Sequence, residues 1–245
     1  MSSAPIFSWP QGCEGAISLT FDDGMRSQLE IAVPRLEERG FRGTFYLNPR
    51  GDDWQSRCAS WLAPYQAGHE IGNHTMAHPC SLNTQLTLQG WTLEQIEADI
   101  VETERRLSVL FPANDRSFAY PCYESDIGRG PTRRSYVPVV ARHLIAGRGK
   151  GLSNRGNHPL NADLHLLSSW AVERMSAWDL IGLVEQCLAN GWWGILTIHG
   201  INEGHLPMPE VELCALLDYL VRQQGRVWTA PVATVARHIL DHSSP

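Results

Sequence analysis

An α/β fold with a parallel sheet or barrel is what this sequence predicts, and three observations lead there. Apolar segments of strand length alternate with segments whose apolar residues recur at helical spacing, the pattern of repeated βα units. The length, 245 residues, suits one large domain with a full core, expected to span 1–245. A content of 43% hydrophobic and 19% charged residues belongs to a globular chain and excludes disordered and fibrous classes.

The first strand is expected at residues 16–21, where Ile17, Leu19 and Phe21 share one face and Ser18, Thr20 and Asp22 the other, because side chains alternate along a strand. Further strand-length segments lie at 43–48, 69–72, 117–120, 165–169, 194–198 and 227–229. Helical spacing of Leu, Ile and Val marks 28–39, 92–110, 178–189, 210–224 and 232–242. Thr92 followed by Gln95 reads as a capping box, and Asn190-Gly191 and Gln224-Gly225 read as helix C-caps. The least regular stretch, 122–163, holds Gly-Arg-Gly at 128–130 and 147–149 and a short helix near 135–145. Long loops of this kind in compact enzymes often serve as lids or substrate walls.

Charge and composition narrow the function. A net charge of −6 argues against a general nucleic-acid binder, which needs a basic face to neutralise phosphates. No apolar run approaches the ~20 residues of a membrane-spanning helix, and residues 1–5 lack the charged-then-apolar pattern of a secretory signal, so the expected location is cytoplasmic. The six cysteines at 13, 58, 80, 122, 187 and 214 form no CxxC pair and suit reduced thiols, with Cys80 and Cys122 flanking motifs. Within 122–163, Arg129, Arg133, Arg134, Arg142, Arg148, Lys150 and Arg155 outnumber Glu124, Asp126 and Asp163. This basic stretch inside an acidic protein is suited to an anionic visitor.

Three short strings carry chemistry. Thr20-Phe21-Asp22-Asp23-Gly24 ends the first strand, with Asp22 leaving on its polar side and Asp23 entering a turn that Gly24 permits. One carboxylate is thereby free to bind a metal while the other serves as a base. In Asn73-His74-Thr75-Met76-Ala77-His78 the histidines are four apart, a spacing that on one helical turn stacks both rings on one face. Two imidazoles, one carboxylate and an open position form the donor set of catalytic zinc, which cobalt, nickel or iron also fit. Such an ion polarises a carbonyl and lowers the pKa of water toward ~7. Leu196-Thr197-Ile198-His199-Gly200 ends a buried-looking strand with a histidine, and at the carboxyl rim of a parallel sheet His199 is placed to protonate a leaving amine.

These motifs resemble those of the polysaccharide deacetylase family, carbohydrate esterase family 4, from about Ile17 to Pro231. The resemblance implies Asp22 as base, Asp23, His74 and His78 as ligands of one divalent ion, and His199 as acid. It also implies a distorted (β/α) barrel with about seven parallel strands. The third motif departs: Phe118-Ala119-Tyr120-Pro121-Cys122-Tyr123 puts Ala119 where the family has an arginine and Tyr123 in place of a glycine. Arg116 is at an odd offset from 119 and points to the opposite strand face. Arg129 or Arg148, each flanked by glycines, is expected to reach in instead. The family's acidic residue that orients the acid histidine is sought in Glu173 near Trp170 or Asp179 beside Trp178, while His205 is read as an exposed loop residue in preference to a pocket-lining one. Tyr120, Pro121, Arg129 and Arg148 are the expected substrate contacts, and Trp54 and Trp61 are singled out as sugar-stacking candidates.

The expected activity is metal-dependent removal of an N-acetyl group from a saccharide intermediate, anionic if the basic stretch meets it, in cell-surface polysaccharide metabolism. An O-acetyl esterase or other amide hydrolase, and a catalytically impaired saccharide-binding domain, are the alternatives, the last resting on Ala119.

Overall fold

Eight parallel strands curl into an open barrel in the computed structural model, which describes residues 7–81, 87–151 and 155–243. They are β1 (Gly15–Phe21), β2 (Thr44–Leu47), β3 (Glu70–Asn73), β4 (Ser117–Ala119), β5 (Ala146–Arg148), β6 (Trp170–Ala171), β7 (Trp193–Ile198) and β8 (Val227–Thr229). Seven follow the order β5-β4-β3-β2-β1-β7-β6, and β8 pairs with the first half of β1, leaving its second half to β2. Every residue of β1 and β7 is buried, as expected of parallel strands covered on both faces.

The alternation read in β1 decides what each face packs against. Ile17, Leu19 and Phe21 enter one core cluster with Leu36, Val184 and Leu216 from flanking helices, and Phe21 stacks on Phe45 with ring centroids 4.8 Å apart. On the other face the Ser18 and Thr20 hydroxyls donate to the carbonyls of Ala230 and Leu196 at 2.7 and 2.9 Å, so no buried hydroxyl of β1 is left unpaired. Truncating a ring such as Phe45 to alanine would cost roughly 3–5 kcal/mol, a large part of a domain's stability.

The helices are α1 (Val33–Glu37), α2 (Trp54–Ala59), α3 (Leu62–Gln66), α4 (Leu93–Leu110), α5 (Val137–His143), α6 (Ala177–Asn190), α7 (Glu210–Arg222) and α8 (Val232–His242). Thr92 and Gln95 make the expected reciprocal cap on α4, and Gly191 ends α6 in a left-handed conformation, φ 67°. At the end of α7 the expected cap is absent: the helix stops at Arg222, Gln223 caps it at φ −105°, and Gly225 is not left-handed. Residues 28–39 are also not one regular helix, because a π-helical turn, Gln28–Ala32, precedes α1.

Two strand readings change. Ala146-Gly147-Arg148 carries no apolar alternation, yet pairs with β4 along its whole length. The segment 165–169 forms no regular strand, only an isolated bridge from Leu167 to Arg148, and the ladder to β7 begins at Trp170. It nevertheless runs beside β5, with Leu167 N donating to Gly147 O and Gly149 N to Leu167 O at 2.8 and 2.9 Å. These bonds link β5 to the segment that leads into β6.

Trp54 and Trp61 do not line a saccharide pocket. Both sit in the core cluster, Trp61 against Phe45 and Trp54 under the Arg106 guanidinium, because residues 54–66 form two short helices rather than a polar loop. Cys80 and Cys122 are not free thiols but a disulfide closing a separation of 42 residues. Closing a loop of that length stabilises by about 4 kcal/mol in the chain-entropy description, and such bonds persist in oxidising compartments rather than the reducing cytoplasm. Cys13, Cys58, Cys187 and Cys214 are free.

Candidate metal centre

The carboxyl ends of β1, β3, β4, β5 and β7 deliver one cluster of polar side chains. Asp22 still belongs to the sheet, its backbone N–H donating to Ile198 O at 2.9 Å, and its buried carboxylate continues the face of Ser18 and Thr20. The chain then turns left-handed at Asp23 (φ 73°) and Gly24 (φ 59°), which sends the Asp23 carboxylate elsewhere. A side chain on Gly24 would also collide with Leu47, 2.8 Å from the place of its Cβ.

Asp23 Oδ1 lies 3.6 Å from Nε2 of His74 and 3.6 Å from Nε2 of His78. The three ligand atoms are within 4.8 Å of one another. The Nδ1–H of His74 donates to the Ala119 carbonyl at 2.8 Å, which leaves the lone pair on Nε2, the nitrogen that faces Asp23. Burial also pushes His74 toward its neutral form, against the attraction of Asp22 and Asp23. Two imidazoles and a carboxylate that converge, with the His74 tautomer set by the Ala119 carbonyl, fit a divalent cation.

A loop, not a helix, brings the two histidines together. Residues 74–80 have no helical turn, Thr75 and His78 are left-handed at φ 59° and 49°, and the rings meet edge-on with centroids 4.8 Å apart. The two histidines do converge, but not through the helical turn that their spacing suggested. Backbone strain of about 1–3 kcal/mol per such residue is held by side chains the sequence reading did not single out. Asn48 donates to the carbonyls of His74 and Thr75 at 2.6 and 2.8 Å, and Asp99 of α4 accepts from the amides of Met76 and Ala77 at 2.7 and 3.0 Å. The signal for Asp99 was present: it is an acid on the buried stripe formed with Ile96, Ile100, Thr103 and Leu107.

Arg148 takes the part that Ala119 cannot. Its guanidinium makes a buried ion pair with Asp22 Oδ1 and lies 4.9 Å over the Tyr46 ring. Ala119 and Arg148 are direct partners in the β4–β5 ladder, and laterally paired residues project to the same face, so an arginine moved one strand over still reaches the same carboxylate. Burial pushes Asp22 up, but Arg148, then His74 and His199, outweigh it and hold the carboxyl below its usual value. Arg148 is fully buried and so is not a substrate contact. Arg116, as expected, points away, paired with Glu104 at 3.0 Å.

A cavity of about 380 Å³ opens over these groups and is also lined by His199, Tyr120, Cys122, Tyr123, Lys150, Glu173, His205 and Leu206. His199 Nδ1 and Glu173 Oε2 are each buried without a hydrogen-bond partner among the described residues. Asp179 and Trp178 are excluded from the site, the first exposed in the α6 cap and the second 83% exposed. Tyr120 lines the cavity while its hydroxyl donates to His165 O at 2.6 Å, and Pro121 is buried behind it. Arg129 lies outside, in a separate cavity of about 430 Å³ that shares only the Tyr123 wall. The basic stretch is otherwise partly neutralised, Arg133 by Asp126 and Arg142 by Glu97; its residues 152–154 fall outside the described set.

Residues 10–126 match the family described as polysaccharide deacetylase. No curated protein matches the chain in sequence. Among solved structures, a candidate polysaccharide deacetylase from Mycobacterium smegmatis superposes with a TM-score of 0.67 at 17% identity, over 100% of this chain and 96% of that one. A family 4 acetyl xylan esterase from Clostridium thermocellum, in complex with a cobalt ion, gives 0.56 at 18% over 90% and 89%. A family 4 pseudoenzyme from Bacillus anthracis gives 0.57 at 16% over 96% and 70%. The resemblance to polysaccharide deacetylases is therefore shown twice, by the family match over residues 10–126 and by a fold shared with structures of carbohydrate esterase family 4.

Proposed function

We propose that the chain is a metal-dependent hydrolase that removes an N-acetyl group from a saccharide. The observation that carries this reading is the buried Arg148–Asp22 pair beside the convergent Asp23, His74 and His78. Asp23, His74 and His78 would hold the ion, zinc first, with cobalt, nickel and iron also suited. When bound, it supplies Lewis acidity to the acyl carbonyl and to water. Asp22 stays ionised because Arg148 and the two histidines favour its charge, and it accepts the proton of the attacking water. His199, across the cavity, donates to the departing nitrogen. Tyr120 and Tyr123 wall the sugar, and Lys150 is the cation placed to meet an acidic substituent.

The impaired-domain alternative rests on Ala119, and Arg148 removes most of its force by supplying the guanidinium from β5. A saccharide intermediate of surface-polysaccharide metabolism is the substrate class this reading favours. Acetate release from a panel of N-acetylated saccharides by metal-loaded protein, with Asp22→Asn as blank, tests it. Release that depends on Asp22 and stops on chelation is the expected result; bound metal with no release from any member would overturn it.

A further inference from the structure

One side chain joins the loop that carries Asp22 to the loop that carries His199. Gln28 is fully buried at the first position of the π-helical turn, and its Nε2 donates to the backbone carbonyls of Asp22 and His199 at 2.5 and 3.0 Å. Both hydrogens of the amide are thus used, while its Oε1 has no partner among the described residues. Only a carboxamide offers two donors from one uncharged terminal atom; a hydroxyl has one, and an ammonium would bring a charge next to Asp22.

The neighbouring contacts bridge the same two loops. Ser27 Oγ accepts from the Ile201 amide at 2.9 Å, and the Ser27 amide donates to Glu203 at 2.8 Å. The turn from Gln28 to Ala32 is wider than an α-turn, and such turns inside helices are frequent at functional sites. Fixing the Asp22 and His199 carbonyls fixes the peptide planes through which Asp23 and Gly200 leave, and with them the spacing of the two side chains that flank the cavity.

We infer that Gln28 is a positioning residue: without touching substrate, it sets the distance between Asp22 and His199. The inference rests on the reading of those residues as base and acid. A misplacement of about 1 Å between reacting groups costs on the order of 10²-fold in rate.

The test combines kinetics with amide hydrogen exchange. Gln28→Met keeps the shape and removes both donors. It should lower kcat for acetate release on the order of 10–100-fold with KM within about threefold. In a His199→Ala background the same substitution should cost less than about threefold, because there is no acid left to position. Exchange in the segments 22–24 and 199–201 should quicken by at least about tenfold, with Zn²⁺ affinity within about threefold. Gln28→Asn, which keeps a donor on a shorter arm, carries the same comparison should the methionine variant lack a cooperative melting transition. An equal kcat loss in both backgrounds, or unchanged exchange at either loop, would overturn the inference. If the wild-type protein releases no Asp22-dependent acetate, faster exchange at both loops retains the clasp and removes the hydrolase reading, whereas unchanged exchange removes the clasp.

Discussion

His69 and His74 flank the same strand, β3, and are each 2% exposed, yet their ring nitrogens are arranged in opposite ways. At the amino end, His69 Nδ1 accepts from the Gly43 amide at 3.0 Å, so its hydrogen sits on Nε2, which has no hydrogen-bond partner among the described residues and lies 3.5 Å from Glu37. At the carboxyl end, His74 donates from Nδ1 to a carbonyl and presents a lone pair at Nε2 to Asp23. Burial pushes both toward neutrality. Burial and a shifted titration therefore do not mark a functional histidine. The backbone group that each ring meets decides which nitrogen is free to bind an ion.

The largest effect should come from breaking the His74 side of this pair. His74→Ala removes a proposed ligand and should lower acetate release by at least about 10³-fold, the several kcal/mol a bound ion supplies, together with Zn²⁺ affinity in a titration. His69→Asn, which keeps an acceptor for Gly43, should leave kcat and Zn²⁺ affinity within about threefold. Comparable losses in both variants would show that the two ends of β3 are not functionally distinct.

A second contrast lies among arginines of one basic stretch. Arg142 meets Glu97 at the surface at 2.9 Å, a pair worth about 0–1 kcal/mol, whereas Arg148 is buried against Asp22. Arg148→Met should destabilise by roughly 3–5 kcal/mol in urea denaturation, because it strands a buried carboxylate, and should lower kcat on the order of 10²-fold. Adding Ala119→Arg, its ladder partner, should recover at least about tenfold of the rate. Arg142→Met should change neither; no recovery from Ala119→Arg would show that the strand bearing the arginine matters as much as the face.

This second contrast also marks where the sequence could be read and where it could not. Strands such as β1 and β7 were visible because their outward residues are regularly apolar, and Asp22, Asp23, His74 and His78 were visible because they sit within two short strings at strand ends, where spacing can be read without knowing the local geometry. β5 was invisible: it consists of alanine, glycine and a buried arginine whose charge is met by Asp22, 126 residues away. The non-helical path of residues 74–78 was hidden for a related reason, since Asn48 and Asp99 impose it from other elements. Short α2 and α3 look polar in sequence because each turns only a few side chains, Trp54 and Cys58 among them, into the core. The Cys80–Cys122 bond needed the fold to bring two distant loops together.

The smallest effect sharpens the first comparison without touching activity. Burial, with help from Arg42, lowers His69 from 6.5 to about 4. A group whose folded value lies below its unfolded one stabilises the protein above the unfolded value and loses that contribution as pH falls toward the folded one. The window is therefore about pH 6.5 down to 4, and the loss between pH 7.5 and 5 is about 2 kcal/mol. Urea denaturation at those two pH values should show the wild-type protein losing about 2 kcal/mol more than His69→Asn, which has no proton to gain. The variant would start lower at pH 7.5, since asparagine leaves part of the ring's volume empty, and the two curves should converge as acid is added. Parallel curves would mean that His69 is protonated at no cost to the fold, and that the contact with Gly43, rather than the exclusion of charge, is what this end of β3 requires.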